Sequence, residues 1–317
     1  MGRFYAITVG SSSWNSQTNG TDNPGALNVE FDFFEYTYGT PMGNSTLTIH
    51  GVSLQDLQQA QNFAGQQLSM KAGMSSGFPL AVPAQAGIIL QGQVFQCFGN
   101  WIGTEMTLDF VVVPSLYTMD SPGNIVLNWK AGTTLQSALQ TCLSIAYPNA
   151  SIVFKIGQYV LGNDDVGVYS NLSNLAKHVK SVTKSGASLG VDIVYQNTGS
   201  TILVLDGSVQ STPVQIQFTD FIGQPTWIDV NTMQFATVMR ADIGVGTAVK
   251  MPQGLQDVPG IVTTAAAAYP SQLKYQTAFQ GTFQITSVRQ VGNFRDPSGA
   301  SWSTVFQAVP QNVPQGP

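Results

Sequence analysis

The chain has 317 residues, enough for more than one domain and a substantial core. Only 9% of them are charged, against about 25% in an ordinary soluble protein. The net charge is −5 and no Lys/Arg-rich run occurs, which excludes the usual basic type of phosphate-binding protein.

Arg3–Val9 reads as a first strand, and the Ser-, Asn- and Gly-rich stretch Ser11–Gly25 as a loop. Leu27, Val29, Phe31 and Phe33 alternate with Asn28, Glu30 and Asp32, the period of a half-buried strand. Turn residues fill Tyr36–Gly43, and Thr46–Val52 is the next strand. Ser53 with Asp56 predicts a capped helix that ends near Gly65. Strands at Gln67–Ala72, Ile88–Phe98 and Glu105–Pro114 and a turn region at Tyr117–Gly123 complete this unit. Its order fits a closed or nearly closed barrel with one helix.

The middle has a different texture. Leu135, Leu139, Cys142, Leu143 and Ala146 recur at helical spacing until Pro148-Asn149. Ser151–Ile156 reads as a strand, and Leu172, Leu175, Ala176 and Val179 mark a second helix in a region that also holds Lys155, Lys177, Lys180 and Lys184. Strand texture returns at Val191–Tyr195, Thr201–Leu205, Pro213–Phe218, Gly281–Val291 and Ser301–Val309. Within Phe218–Pro252, Gly223 and Pro225 are expected to shape the turn entering a Trp227 strand, and Gly246 to turn the chain before Thr247–Met251. Ala265–Ala268 reads as the end of a helix or loop before Tyr269-Pro270. The expected fold is a β-rich α+β chain. It has a first antiparallel barrel over 1–122, a small α/β insert over 123–187, a second barrel over 188–310 and an extended tail over 311–317.

Chemistry is sparse. His50 lies in a strand and His178 on a helix, the latter expected on a solvated face, and neither has Cys, Asp or Glu at metal-ligand spacing. Asp164-Asp165 reads as a turn, since a calcium loop needs acids at alternating positions. Glu30 and Asp32 share the polar face of one strand, a solvated or lumen-facing pattern, with Glu35 close by in sequence. Gly244-Val245-Gly246 lacks the strand–helix context of a dinucleotide motif, and no G-x-S-x-G elbow occurs. Cys97 and Cys142 read as small buried residues rather than a disulfide framework. No apolar run of membrane-spanning length and no signal-peptide pattern appear. The expectation is a protein without catalytic residues, cofactor or metal, and without membrane insertion.

Three stretches resemble the central hub protein of contractile bacteriophage tails, a family related to the hub region of type VI secretion spikes. Ser45–Gly73, with GVSLQDLQQAQNFAGQQLSMKAG, resembles the first barrel, and Leu127–Pro148 resembles the start of the family's α/β domain. Phe218–Pro252 together with Phe279–Val309 resembles the second barrel. In the closing unit Gln290 stands where the family has a His and Asn293 where it has an Asp, while Ser301-Trp302-Ser303-Thr304 keeps the Trp and Thr.

The resemblance implies a homotrimer whose paired barrels form a pseudo-sixfold ring in the virion's baseplate, assembled in the host cytoplasm. Its implied partners are the tail tube protein, the central spike and other baseplate proteins, with DNA passing through the lumen without specific binding. The residues expected to matter are architectural: Gly223, Pro225, Gly246, Gly281, and Trp302 packing in the closing hairpin. The competing expectations are a tube-initiator or distal ring protein, and a cell-wall-binding or hydrolase module.

Overall fold

The computed structural model describes residues 2–36, 45–75, 82–113, 124–184, 190–196, 201–208, 212–252, 279 and 281–311. The turns expected at 37–43 and 117–123, the Ala265–Ala268 run and the tail over 312–317 lie outside the described residues.

The strands of the first lobe are β1 (Arg3–Val9), β2 (Ser12–Asn15), β3 (Gln17–Thr18), β4 (Thr21–Asp22), β5 (Asn28–Tyr36), β6 (Ser45–His50), β7 (Gln67–Met74), β8 (Gly87–Ile102) and β9 (Glu105–Val113). Strict burial alternation along β5 follows the apolar alternation of its sequence. Between β6 and β7 lies the short helix α1 (Leu54–Gln58), continued by a 3-10 turn at Ala60–Phe63. Ser53 caps α1, its side chain accepting from the Asp56 amide at 3.1 Å. The expected loop at 11–25 instead holds the short strands β2, β3 and β4. Asn19 and Gly20, both at positive φ, turn β3 into β4, the Asn-Gly hairpin signal in a stretch too polar to show alternation.

The middle unit contains β10 (Ile125–Trp129), α2 (Leu135–Ala146), β11 (Ser151–Lys155), β12 (Asp165–Tyr169), α3 (Leu172–Thr183), β13 (Asp192–Tyr195) and β14 (Thr201–Leu205). Thr134 caps α2 and Asn171 caps α3. β10 pairs antiparallel with β12, and β14 lies between β11 (parallel) and β13 (antiparallel). The latter sheet joins residues on both sides of 188: Val191, Ile193, Tyr195, Ile202 and Val204 share a core with α2 and α3. Its other face gives Val194, Leu203 and Leu205 to the second lobe. Those runs are apolar on both faces because both faces are covered, so period-2 reading could not assign them.

The second lobe contains β15 (Val214–Gln215), β16 (Thr226–Asp229), β17 (Thr232–Val238), β18 (Ala248–Lys250), β19 (Thr282–Asn293) and β20 (Trp302–Pro310). The two antiparallel units are lobes of one sheet, ordered β16-β17-β20-β19-β5-β6-β9-β8-β7-β1-β2. The joint is β5 against β19, in register from Ser287↔Tyr36 to Asn293↔Glu30. Each lobe curls around its own core: the first around Phe31, Phe33, Phe63 and Phe110, the second around Phe235, Phe283, Ile285 and Phe306.

Candidate functional site

Several of the chain's few charges lie where the lobes meet. On the outward face of the joint, Arg289 of β19 donates to both Asp32 oxygens, at 2.8 and 2.6 Å, and lies over the Phe34 ring. The hydrogen bonds to Asp32 push the guanidinium pKa up, against the opposing effect of burial. Asn293 donates to Glu30 at 2.8 Å. Glu30, Asp32, Thr46, Thr48, Asn293 and Ser301 line an open cleft of about 390 Å³ along this joint.

Arg3 crosses from the first strand to the far end of the chain. Its guanidinium donates to the carbonyls of Asn293 (2.9 Å), Asp296 and Ser298 (2.5 Å) and to Ser301 Oγ (3.3 Å). The β19–β20 turn is thus folded around a cation from β1. Burial lowers the Arg3 pKa, with Asp296 acting in the opposite sense.

A second charged cluster lies deeper. Arg240, only 2% exposed, donates to Asp242 at 2.7 and 2.6 Å and to Asp220 at 3.3 Å. Gln85 of the first lobe donates to Asp220 at 3.4 Å, and its carbonyl accepts from the Ala241 amide at 2.7 Å. Glu35, on the opposite face of β5 from Glu30 and Asp32, accepts from the Val245 amide at 2.9 Å. The three carboxylates therefore do not converge on one opening.

The histidines have partners that sequence spacing hid. His50 Nδ1 lies 2.6 Å from Glu105, with Nε2 3.5 Å from Glu30, because β6 runs between β5 and β9. His178 is half-buried rather than solvated, with Nε2 2.8 Å from Asp165 and its ring 5.1 Å from that of Tyr169. Asp164 closes a turn, accepting from the Ala131 amide and from Lys130. Among the described residues no group of three or more His, Cys, Asp or Glu is arranged to hold a metal ion. Cys97 and Cys142 are free and buried, and burial pushes their thiol pKa values to about 12 and about 11.

The five architectural residues do not form one site. Gly223 and Gly281, at φ +79° and +103°, have open space around the position of a Cβ. Pro225 is buried ahead of Trp227. Gly246, at φ +80°, is crowded: a Cβ would lie 2.8 Å from Leu203 Cδ2 and 3.1 Å from Leu205 Cδ1, so those side chains would have to shift. Trp302 packs on Phe294 of the closing hairpin and reaches further, into the first lobe's core against Phe31, and its Nε1 donates to the Gly73 carbonyl at 3.1 Å. β20 is long enough to start in one lobe and end in the other, which periodicity within a strand cannot reveal.

Arg3, Gln85 and Arg240 were not singled out from sequence. Arg240 carried the clearest signal, an isolated charge after Ala-Thr-Val-Met in a chain where charge is scarce.

No family model matches the chain, and no curated protein matches it. Solved structures do. A tail protein from Neisseria meningitidis aligns with TM-score 0.54 and 10% identity over 98% of this chain and 97% of its own. A prophage tail protein from Shewanella oneidensis aligns with TM-score 0.52 and 8% identity over 98% of each chain. An E. coli component of the type VI secretion system, described as structurally similar to T4 bacteriophage tail proteins, aligns with TM-score 0.51 and 12% identity over 90% of this chain and 73% of its own. Identities this low speak for architecture alone. In fold, the chain is similar to these phage tail proteins and to the tail-related component of type VI secretion.

Proposed function

We propose that this protein is a structural component of a phage tail, and within the tail the baseplate hub. Three protomers with two lobes each build a pseudo-sixfold ring between a hexameric tube and a trimeric spike. The observation that carries this reading is the β5–β19 joint. A continuous hydrogen-bonded sheet fixes the two lobes of a protomer relative to each other, so that three copies present six like units at set spacing.

Two further features support it. The outward face of β5, β6 and β9 carries Glu30 and Asp109 with Thr46 and Thr48, and its one nearby cation, Arg289, is matched by Asp32, a neutral-to-acidic wall compatible with DNA sliding past. The carboxylates Glu30, Asp32 and Glu35 are engaged in structural hydrogen bonds, which favours a non-enzymatic role. Sedimentation and electron microscopy test the reading. Three-chain particles with six-lobed projections that cap purified tail tubes are expected. Peptidoglycan release by the pure protein, or a single-lobed subunit in a sixfold ring, overturns it.

A further inference from the structure

The turn between β19 and β20 is built as a receptor. The carbonyls of Asn293, Asp296 and Ser298 and the Ser301 hydroxyl converge on one guanidinium, that of Arg3. Nη1 donates to Asn293, Asp296 and Ser301, and Nη2 to Ser298. The Trp302 ring forms the floor, its centroid 5.9 Å from Arg3 Cζ. Burial disfavours the charged guanidinium, and the nearby Asp296 carboxylate acts against that.

The turn has its own means of holding this shape. Asn293 Oδ1 accepts from the amides of Arg295 at 3.2 Å and Asp296 at 3.1 Å, and Asp296 Oδ1 accepts from that of Ser298 at 2.9 Å. The Ser301 hydroxyl lies within donating reach of the Asp296 and Ser298 carbonyls, at 3.1 and 2.7 Å. The Phe294 amide donates to the Val29 carbonyl at 3.0 Å and so ties the turn to β5. Acceptors fixed in advance make binding cheaper in entropy. They also suit one class of cation. A planar guanidinium presents donors from two nitrogens at once and stacks on an aromatic face, whereas an ammonium donates from a single point. Access exists from solvent, because Asn293, Asp296 and Ser301 also line the open cleft along the joint.

We infer that the 293–301 turn is a guanidinium-binding site in its own right, with Arg3 as its tethered ligand, and that it takes a free alkylguanidinium once the tether is cut. A ligand that binds only the folded state stabilises it, tethered or free. The site thereby sets how firmly β1 is held to the turn, whether or not the chain forms a ring.

The test uses the full chain carrying Arg3→Met, which keeps an apolar stem and removes the cation. Its thermal midpoint is expected roughly 3–8 °C below that of wild type. Methylguanidinium at about 10 mM should restore at least about 2 °C of that loss and leave wild type, whose site is filled, unchanged. Methylammonium at the same concentration should restore nothing, and Arg3→Lys should stay close to Arg3→Met. Hydrogen exchange over 294–301 should slow in the variant when methylguanidinium is added. Arg3→Gln replaces Arg3→Met if the latter fails to fold by circular dichroism. If neither folds alone, folding in methylguanidinium but not in methylammonium is the expected result, and failure in both overturns the site. A variant as stable as wild type, no rise with methylguanidinium, or an equal rise in wild type or with methylammonium also overturns it.

Discussion

The two lobes are built from one sheet, yet they depend on each other unequally. The first lobe's core takes in Met239 and Trp302 from beyond its own sequence, with Phe294 and Ala241 packed at its margin. The second lobe's core contains no residue from 2–113; it borrows instead Val194, Leu203 and Leu205 from the middle unit. Apolar completion therefore runs one way: the first lobe's core takes residues from the second, and the second's takes them from the α/β sheet, while polar contacts such as Glu35 to Val245 and Gln85 to Asp220 tie the lobes in both directions. An apolar core that is completed by distant residues is stable only when those residues are in place.

The sharpest way to break this asymmetry is Trp302→Ala. It removes a buried indole and its hydrogen bond to Gly73, and should cost about 3–5 kcal/mol in denaturant unfolding. Hydrogen exchange should rise first in β5, β7 and β8 of the first lobe. Loosening confined to β17 and β18 would reverse the proposed dependence. Arg240→Met comes close behind. It strands Asp220 in the interior, at about 3–5 kcal/mol, and the double variant Arg240→Met/Asp220→Leu should regain most of that loss. Equal stability of the single and double variants would show that the charge is not what holds the lobes together.

Gly246→Ala probes the support from the middle unit. Positive φ and contact with Leu203 and Leu205 should together cost about 1–3 kcal/mol by thermal unfolding. Gly223→Ala, at nearly the same φ but in open space, should cost less. Gly246→Val, with a larger side chain at the same crowded point, should abolish ring assembly as judged by sedimentation. Normal ring yield from it would count against the α/β sheet as the second lobe's support.

Smaller still is the effect of acid on the middle unit. Burial tends to raise the Asp206 pKa, but donors from Gly157, Ser208 and Tyr159 outweigh it and hold the carboxyl below its ordinary value. A depressed carboxylate adds stability above its unfolded pKa and loses it as pH falls through the folded one. Asp206→Asn should therefore flatten the acid side of a stability–pH curve and leave its alkaline side unchanged. The least change is expected at Cys97, whose thiol, pushed to about 12, should resist alkylation at neutral pH until the first lobe unfolds.

What was legible in the sequence was local. Strand patterning located β5, β6, β7, β9, β19 and β20 within a few residues, the Ser53 cap located α1, and apolar spacing located α2 and α3. The hairpin at Asn19-Gly20 was hidden in a polar stretch, although the dipeptide itself was readable. What was not legible was allegiance. Arg289 meets Asp32 and Arg3 meets Asp296 across more than two hundred intervening residues, and no window on a sequence spans that distance. Trp302 packs on Phe294 of its own hairpin and also reaches the first lobe's core, which the sequence did not show: a strand's period tells which way a side chain points, not whose core it enters.

The Arg3 clamp bears on how the chain is made. A ribosome releases β1 through β9 while the turn at 293–301 is still unwritten, so Arg3 waits for an acceptor 290 residues further along the chain. The first lobe is thus sealed only after the second has been made, and a product that stops short of residue 293 is left with that lobe unclosed before it can enter any larger assembly.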